Sequence, residues 1–518
     1  MITGASPSTG KVDRPGREAA QGPRLPAAFA LGAVAYLALV VSLGVVLRAR
    51  YVTPLWPGLA FRNLMHAHSH GAYFGWASLG LMAGIYRLLP ELTGRALVSP
   101  AWVRRQLWLT HAATVGAVIA FAAGGYNPVS IAFSTVNVLL WYMFAALYWR
   151  NVRGAPRPWP VPVLYFNAAV SFLVLSSLGT WLITVVTAAG LESPLWRSAG
   201  LYLFLSSFAD GWLLVGLMGL AAALLPADPL AETGAWARPW LLWLVLLTPP
   251  AFLAYLVPAG APPVIAGLGL AARAALGVVY GLYLRRAWAA YRGRKVPVGL
   301  DRGARTLERD VPTAAARLWG IAAAFLAVKA AAHLASGLGG LLPTVGALLP
   351  QAGAVSNLLS NPPRQLFVAY LHADLLGLIT CGLLGALSVL FGRRQARGRE
   401  MAASAAGRAR AGTEALVGEL QLAGEAQAAR AGALGAAVLG IGVAGMVAAL
   451  AGAGLAEAGL WPGPAGSGLG SPATALPVTF KIAFLFSVVS LAGVLGTVVP
   501  LVVPLGVCLR NRYAAGNR

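Results

Sequence analysis

The chain has 518 residues, of which 58% are hydrophobic and only 11% charged, with six histidines, two cysteines and a formal net charge of +23. Soluble domains carry about a quarter charged residues, so this composition, with a mean hydropathy of +0.71, excludes a soluble globular protein and points to an all-α polytopic membrane protein. The positive charge raises nucleic acid as a partner, and the placement of the basic residues argues against it.

Residues 1–24 are polar and Gly/Pro-rich, without the apolar core of a cleaved signal peptide, and are expected to form a disordered cytoplasmic tail. Apolar stretches near or above the roughly 20 residues that cross a hydrocarbon core follow at 26–48, 64–89, 106–125, 128–149, 161–189, 197–225, 238–258, 260–284, 312–338, 365–391, 430–456 and 477–508. These twelve predicted spans make 25–511 one membrane domain, with 512–518 as a second cytoplasmic tail. Of the basic residues, 31 fall in the two tails and alternate loops on one side, against five (Arg48, Arg50, Arg62, Arg197 and Arg364) on the other. By the positive-inside rule both termini are cytoplasmic, and the expected setting is a bacterial-type inner (plasma) membrane. The charge therefore reports topology, with the lipid bilayer rather than nucleic acid as the partner.

Two cytoplasmic insertions interrupt the pattern. The first, 285–311, is dense in arginine; the second, 392–429, is rich in helix formers and predicts an interfacial or docking helix. Cys381 and Cys508 both lie in apolar segments, so neither a disulfide framework nor a zinc site is expected.

The polar residues that enter these spans carry the functional information. Span two opens with three histidines in five residues, His66, His68 and His70, and span ten opens with His372. Ionisable groups in a membrane are costly and mark function by default. With Arg62 and Arg364 as interface markers and a rise of about 1.5 Å per residue, His68 lies roughly 9 Å and His372 roughly 12 Å below the outer surface, at nearly matched depth. On a helix, His66 and His70 share a face and His68 points about 200° away. His111 enters span three from the opposite side and reads as a helix–helix hydrogen-bonding residue. His333 lies one turn beyond Lys329 in span nine, and is weighed as a third member of the outer site against a packing role. Lys329 and Lys481 are outer-half cations that need anionic partners, for which haem propionates, a lipid phosphate or Asp374 are candidates. Asp210 and Arg273, mid-span in spans six and eight, are expected to pair if those helices are neighbours.

At these residues the chain resembles subunit I of the haem-copper oxidase superfamily, nearest to the C-type cytochrome c oxidases and nitric oxide reductases. The resemblance rests on twelve spans with both ends inside, a histidine at the outer end of span two followed by a Gly- and aromatic-rich helix ending in IYRLLPE, and the span-ten segment from Tyr370 through His372 to Gly377, with Gly385 beyond. It implies His372 as one axial ligand of a low-spin haem, with the other in the His66 to His70 run, His68 or His70 being favoured by spacing. With a haem at this site, its propionates are candidate partners for Lys329 and Lys481, and a periplasmic or membrane-bound cytochrome or a sister subunit is the expected electron partner in a respiratory chain. Tyr370 stands where the family has the ligand of its high-spin haem, and spans six and seven contain no histidine for copper. The expectation is a divergent membrane cytochrome holding a bis-histidine haem b for electron transfer or redox sensing, without the usual copper. Two alternatives stay open. One is a terminal-oxidase or nitric-oxide-reductase-like oxidoreductase with a non-standard metal site drawing on spare histidines, including His333. The other is a transporter or channel using Asp210 and Arg273.

Overall fold

The computed structural model describes residues 24–53, 56–225, 233–292, 296–298, 307–309, 312–341, 363–391, 413–458 and 472–510. Most of the expected N-terminal tail, much of the 285–311 insertion, residues 342–362 and 459–471, the first part of the 392–429 insertion and the C-terminal tail lie outside these residues.

Apolar side chains around the whole circumference make each span a helix, because lipid offers the backbone no hydrogen-bond partners. The helices are α1 (Arg24–Ala49), α2 (61–93), α3 (Pro100–Gly124), α4 (Pro128–Arg153), α5 (Val161–Ala188), α6 (Pro194–Leu224), α7 (Ala235–Ala259), α8 (Pro263–Arg292), α9 (Thr313–Leu341), α10 (Arg364–Phe391), α11 (Thr413–Glu457) and α12 (Pro472–Arg510). Eleven of them contain stretches long and apolar enough to cross a membrane. The other, α2, is the histidine-bearing run, whose polar entry lowers its apolarity without breaking the helix. The protein is a multi-pass membrane protein, and every predicted span coincides with a helix.

Most helices overrun the predicted spans, since hydropathy marks only the lipid-facing stretch and helical hydrogen bonding continues beyond it. The largest overrun is α11, whose 45 residues begin at Thr413. The helix expected from the 392–429 insertion is therefore, from 413 onwards, a continuation of a membrane helix rather than a separate docking element. In the 285–311 insertion, Val296–Val298 pairs antiparallel with Leu307–Arg309 in a two-stranded ribbon.

Sequence neighbours pack side by side from α1 round to α12, and α12 returns against α1 to close the ring. Small residues permit close crossings: a Cβ on Gly496 of α12 would lie 2.9 Å from the Gly435 Cα of α11. Inside the ring stand α2, α6 and α10. The central windows of α6 and α10 are 78% and 83% buried, against 28–44% for the other spans measured in the same way. Indole nitrogens tie the inner helices together, Trp76 Nε1 of α2 donating to Thr380 Oγ1 of α10 at 2.8 Å and Trp212 Nε1 of α6 to Ser78 Oγ of α2 at 3.3 Å. These three inner helices share a second property: each contains a π-helical stretch, Gly71–Ser78, Ser207–Val215 and Ala373–Thr380. Such widened turns recur at functional sites because they re-aim the side chains around them.

Candidate functional site

The π stretches of α2 and α10 begin directly after His70 and His372, and bring two imidazoles close together. The rings of His68 and His372 are stacked, with centroids 6.5 Å apart and planes 18° from parallel. Their hydrogen bonds decide the tautomers. His68 Nδ1 lies 2.8 Å from the Val40 carbonyl of α1, and His372 Nδ1 lies 2.8 Å from the Val368 carbonyl one turn earlier on α10. A carbonyl can only accept, so Nδ1 carries the proton in both rings and Nε2 presents its lone pair. This is the way metal-ligating histidines are held, the second nitrogen donating to a backbone carbonyl that fixes the ring. Two imidazoles that bind one ion through Nε2 at about 2 Å, with about 1.1 Å from nitrogen to centroid, have centroids about 6 Å apart when both ring planes run along the line between them. The 6.5 Å separation and the small angle between the planes match that spacing. Both histidines retain partial exposure although Ala67 and Ala373 beside them are buried. Gly44 of α1 completes the cradle, since a Cβ there would stand 3.2 Å from His68 Cε1.

The other members of the histidine run point elsewhere. His66 and His70 share the opposite face, as helical geometry requires, and pack on α3 and the turn after it: His70 stacks on Phe121 at 4.0 Å and His66 meets Tyr126 edge-on at 4.6 Å. His111 Nδ1 lies 3.2 Å from the Tyr36 hydroxyl, joining α3 to α1 as expected.

A second polar cluster occupies the space between α6, α9 and α10. Lys329 Nζ of α9 is 2.6 Å from Asp210 Oδ1 of α6 and 2.8 Å from Asp374 Oδ2 of α10. It also donates to the Tyr370 hydroxyl at 3.2 Å, leaving that hydroxyl its own proton to donate to His333 Nε2 at 3.0 Å. The structure thus places Lys329 and His333 with Tyr370 rather than with the facing histidines. Asp210 is bonded to Lys329 instead of Arg273, whose guanidinium lies 4.3 Å over the Tyr255 ring. A lysine on α9 reaches between both carboxylates, so one cation offsets two desolvation costs. Lys481 is exposed on α12. Tyr73, Tyr202, Tyr255, Asp210 and Asp374 line a cavity beside the cluster with about 40 Å³ open to water centres, room for roughly three waters. Asp374 Oδ1, buried and without a partner, is the group such a water would satisfy. The larger cavity, about 110 Å³, lies between α6, α8, α9 and α10 against Met218, Trp288 and Trp319; it is almost wholly apolar and is lined by no histidine.

No protein-family profile and no curated protein matches the sequence. Among solved structures, a haem-copper terminal oxidase dimer determined by cryo-electron microscopy superposes with a TM-score of 0.62 at 13% identity, over 94% of this chain and 84% of that one. The fold is that of a haem-copper terminal oxidase. Within this fold, sequence reasoning missed Arg48 as a residue of the site. It lies at the end of α1, 8% exposed, within electrostatic range of His68, His372 and Arg364. A cation in the last turn of a span, next to the outer loop, was the available signal. The anchoring carbonyls and the π turns left no mark in the sequence at all.

Proposed function

We propose that the protein is a membrane cytochrome that holds a low-spin haem b between His68 and His372 and serves in electron transfer or redox sensing. The observation that carries this reading is the pair of parallel imidazoles from two inner helices, each with Nδ1 committed to a carbonyl and Nε2 directed away from that bond. Haem so ligated supplies a one-electron couple with no open coordination position. The residues of this chain do the rest. Val40 and Val368 orient the ligands and raise their basicity. The Trp76–Thr380 bond holds α2 against α10. Arg48 and Arg364 supply the positive rim that propionates require, a role for which Lys329 is already committed to two carboxylates. The apolar walls of α1, α2 and α10 exclude water. The histidines lie near the end of the bundle that the charge asymmetry assigns to the outside of a bacterial-type inner membrane, so a periplasmic or membrane-bound cytochrome, or a sister subunit, would exchange electrons there.

The chamber around Tyr370 does not suit a catalytic haem and copper. Copper beside a haem takes several neutral imidazoles, and the groups here are an ammonium, two carboxylates, a phenol and the single imidazole of His333, whose Nε2 already accepts from that phenol. The test is a dithionite-reduced minus air-oxidised spectrum of the purified protein with a pyridine haemochrome. A sharp b-type α band unmoved by carbon monoxide is expected; a carbon-monoxide-sensitive haem, or colourless protein from haem-replete cells, would overturn the reading.

A further inference from the structure

The facing pair uses only one of the three histidines at the start of α2. The other two form a site of their own. His66 and His70 stand one turn apart with ring centroids 6.3 Å from each other. His70 Nδ1 donates to the His66 carbonyl at 2.9 Å, which leaves His70 Nε2 with its lone pair. His66 Nε2 is buried and has no hydrogen-bond partner. Buried polar atoms without partners are few in folded proteins and call for an explanation, an ion among them. Histidines at i and i+4 on one helix face are a recurrent way of presenting two imidazoles to one metal.

The surroundings select the ion. No third histidine, cysteine or carboxylate joins the pair among the described residues, whereas zinc-type divalent ions take three or four such ligands. Arg62, one turn before His66, lies within electrostatic range and opposes a second positive charge more than a first. The rings of Phe121, which is buried, and Tyr126, which is largely exposed, pack against the pair and offer polarisable surface to a cation. Two neutral nitrogens, a nearby cation and an aromatic wall describe a two-coordinate monovalent ion.

We propose that His66 and His70 form a binding site for a monovalent soft metal ion, copper(I), on the face of α2 opposite the His68–His372 pair. The site is separate from the Tyr370 chamber and does not depend on the haem reading, since His68 takes no part in it.

The experiment is an anaerobic competition titration of the purified full chain with copper(I) against a colorimetric copper(I) chelator, repeated with silver(I). One ion per chain is expected in the wild type. Losing an outer partner of a metal ligand costs 10–100-fold in affinity, so His66→Ala and His70→Ala should each weaken binding by about 100-fold or more. The double variant should bind no ion at this site, His111→Ala should bind as wild type, and any haem α band should be unchanged throughout. Equal copper(I) uptake by wild type and double variant would overturn the proposal, as would copper(I) that binds only while displacing the haem signal. Should the variants fail to fold, X-ray absorption on copper-loaded wild type decides: two imidazole scatterers support the site, and a sulfur-containing or four-coordinate shell overturns it.

Discussion

The two polar regions of the bundle, the facing histidines at one edge of its centre and the lysine–carboxylate cluster deeper between α6, α9 and α10, solve opposite problems. At the first, His68 and His372 give their Nδ1 protons to carbonyls and keep their Nε2 lone pairs unspent. At the second, Lys329, Asp210, Asp374, Tyr370 and His333 bond almost entirely to each other. Both lie beside π turns of inner helices, the first at α2 and α10 and the second at α6 and α10. The difference lies in the donors: the Lys329 ammonium spends its hydrogens on Asp210, Asp374 and Tyr370, whereas neither Nε2 of the histidine pair is committed to a partner among the described residues.

The sharpest way to break that contrast is to remove one facing imidazole. His372→Ala should abolish haem retention, read as loss of the α band, while His66→Ala and His70→Ala retain it; equal losses in all three would dissolve the distinction between the two faces of α2. The next largest effect should come from Lys329→Met, which strands two buried carboxylates. Breaking a buried pair in this way costs about 3–5 kcal/mol, measurable as a lowered denaturation midpoint in detergent. Adding Asp210→Asn and Asp374→Asn should recover part of the loss, and a single variant as stable as wild type would show that the cluster contributes nothing. A smaller perturbation tests the cradle. Gly44→Ala sets a methyl 3.2 Å from His68 Cε1, tighter than ordinary contact, and should shift the α band or weaken haem retention a few-fold without unfolding the protein. The mildest is His111→Ala, which forfeits the bond to Tyr36, a net loss of about 1 kcal/mol, with an unchanged α band; a spectral change there would extend the site to α3.

Much of this architecture was legible beforehand because it depends on local sums. Every predicted span became a helix, since about 20 apolar residues in a row satisfy their backbone in lipid in only one way. The opposed faces of His66 and His70 against His68 follow from 100° per residue, and His111 joins two helices as its position suggested. The choice between His68 and His70 was different. Spacing to later landmarks could not resolve it, and the rotation of α2 about its axis, set by α1 and α3, turns His68 toward α10 and His70 onto Phe121.

The amino-acid sequence by itself determined the number of spans, the charge asymmetry and the presence of histidines at matched depth on two helices, because hydropathy, charge and helical pitch are properties of short stretches of chain. Only the tertiary structure decided which imidazoles face each other, that Lys329 belongs to Asp210 and Asp374 rather than to a ligand, and that Arg48 stands at the rim of the histidine pair. Those relations join residues tens to hundreds of positions apart. They depend on how twelve nearly uniform apolar helices rotate and cross, and that is settled by the packing of the whole bundle at once.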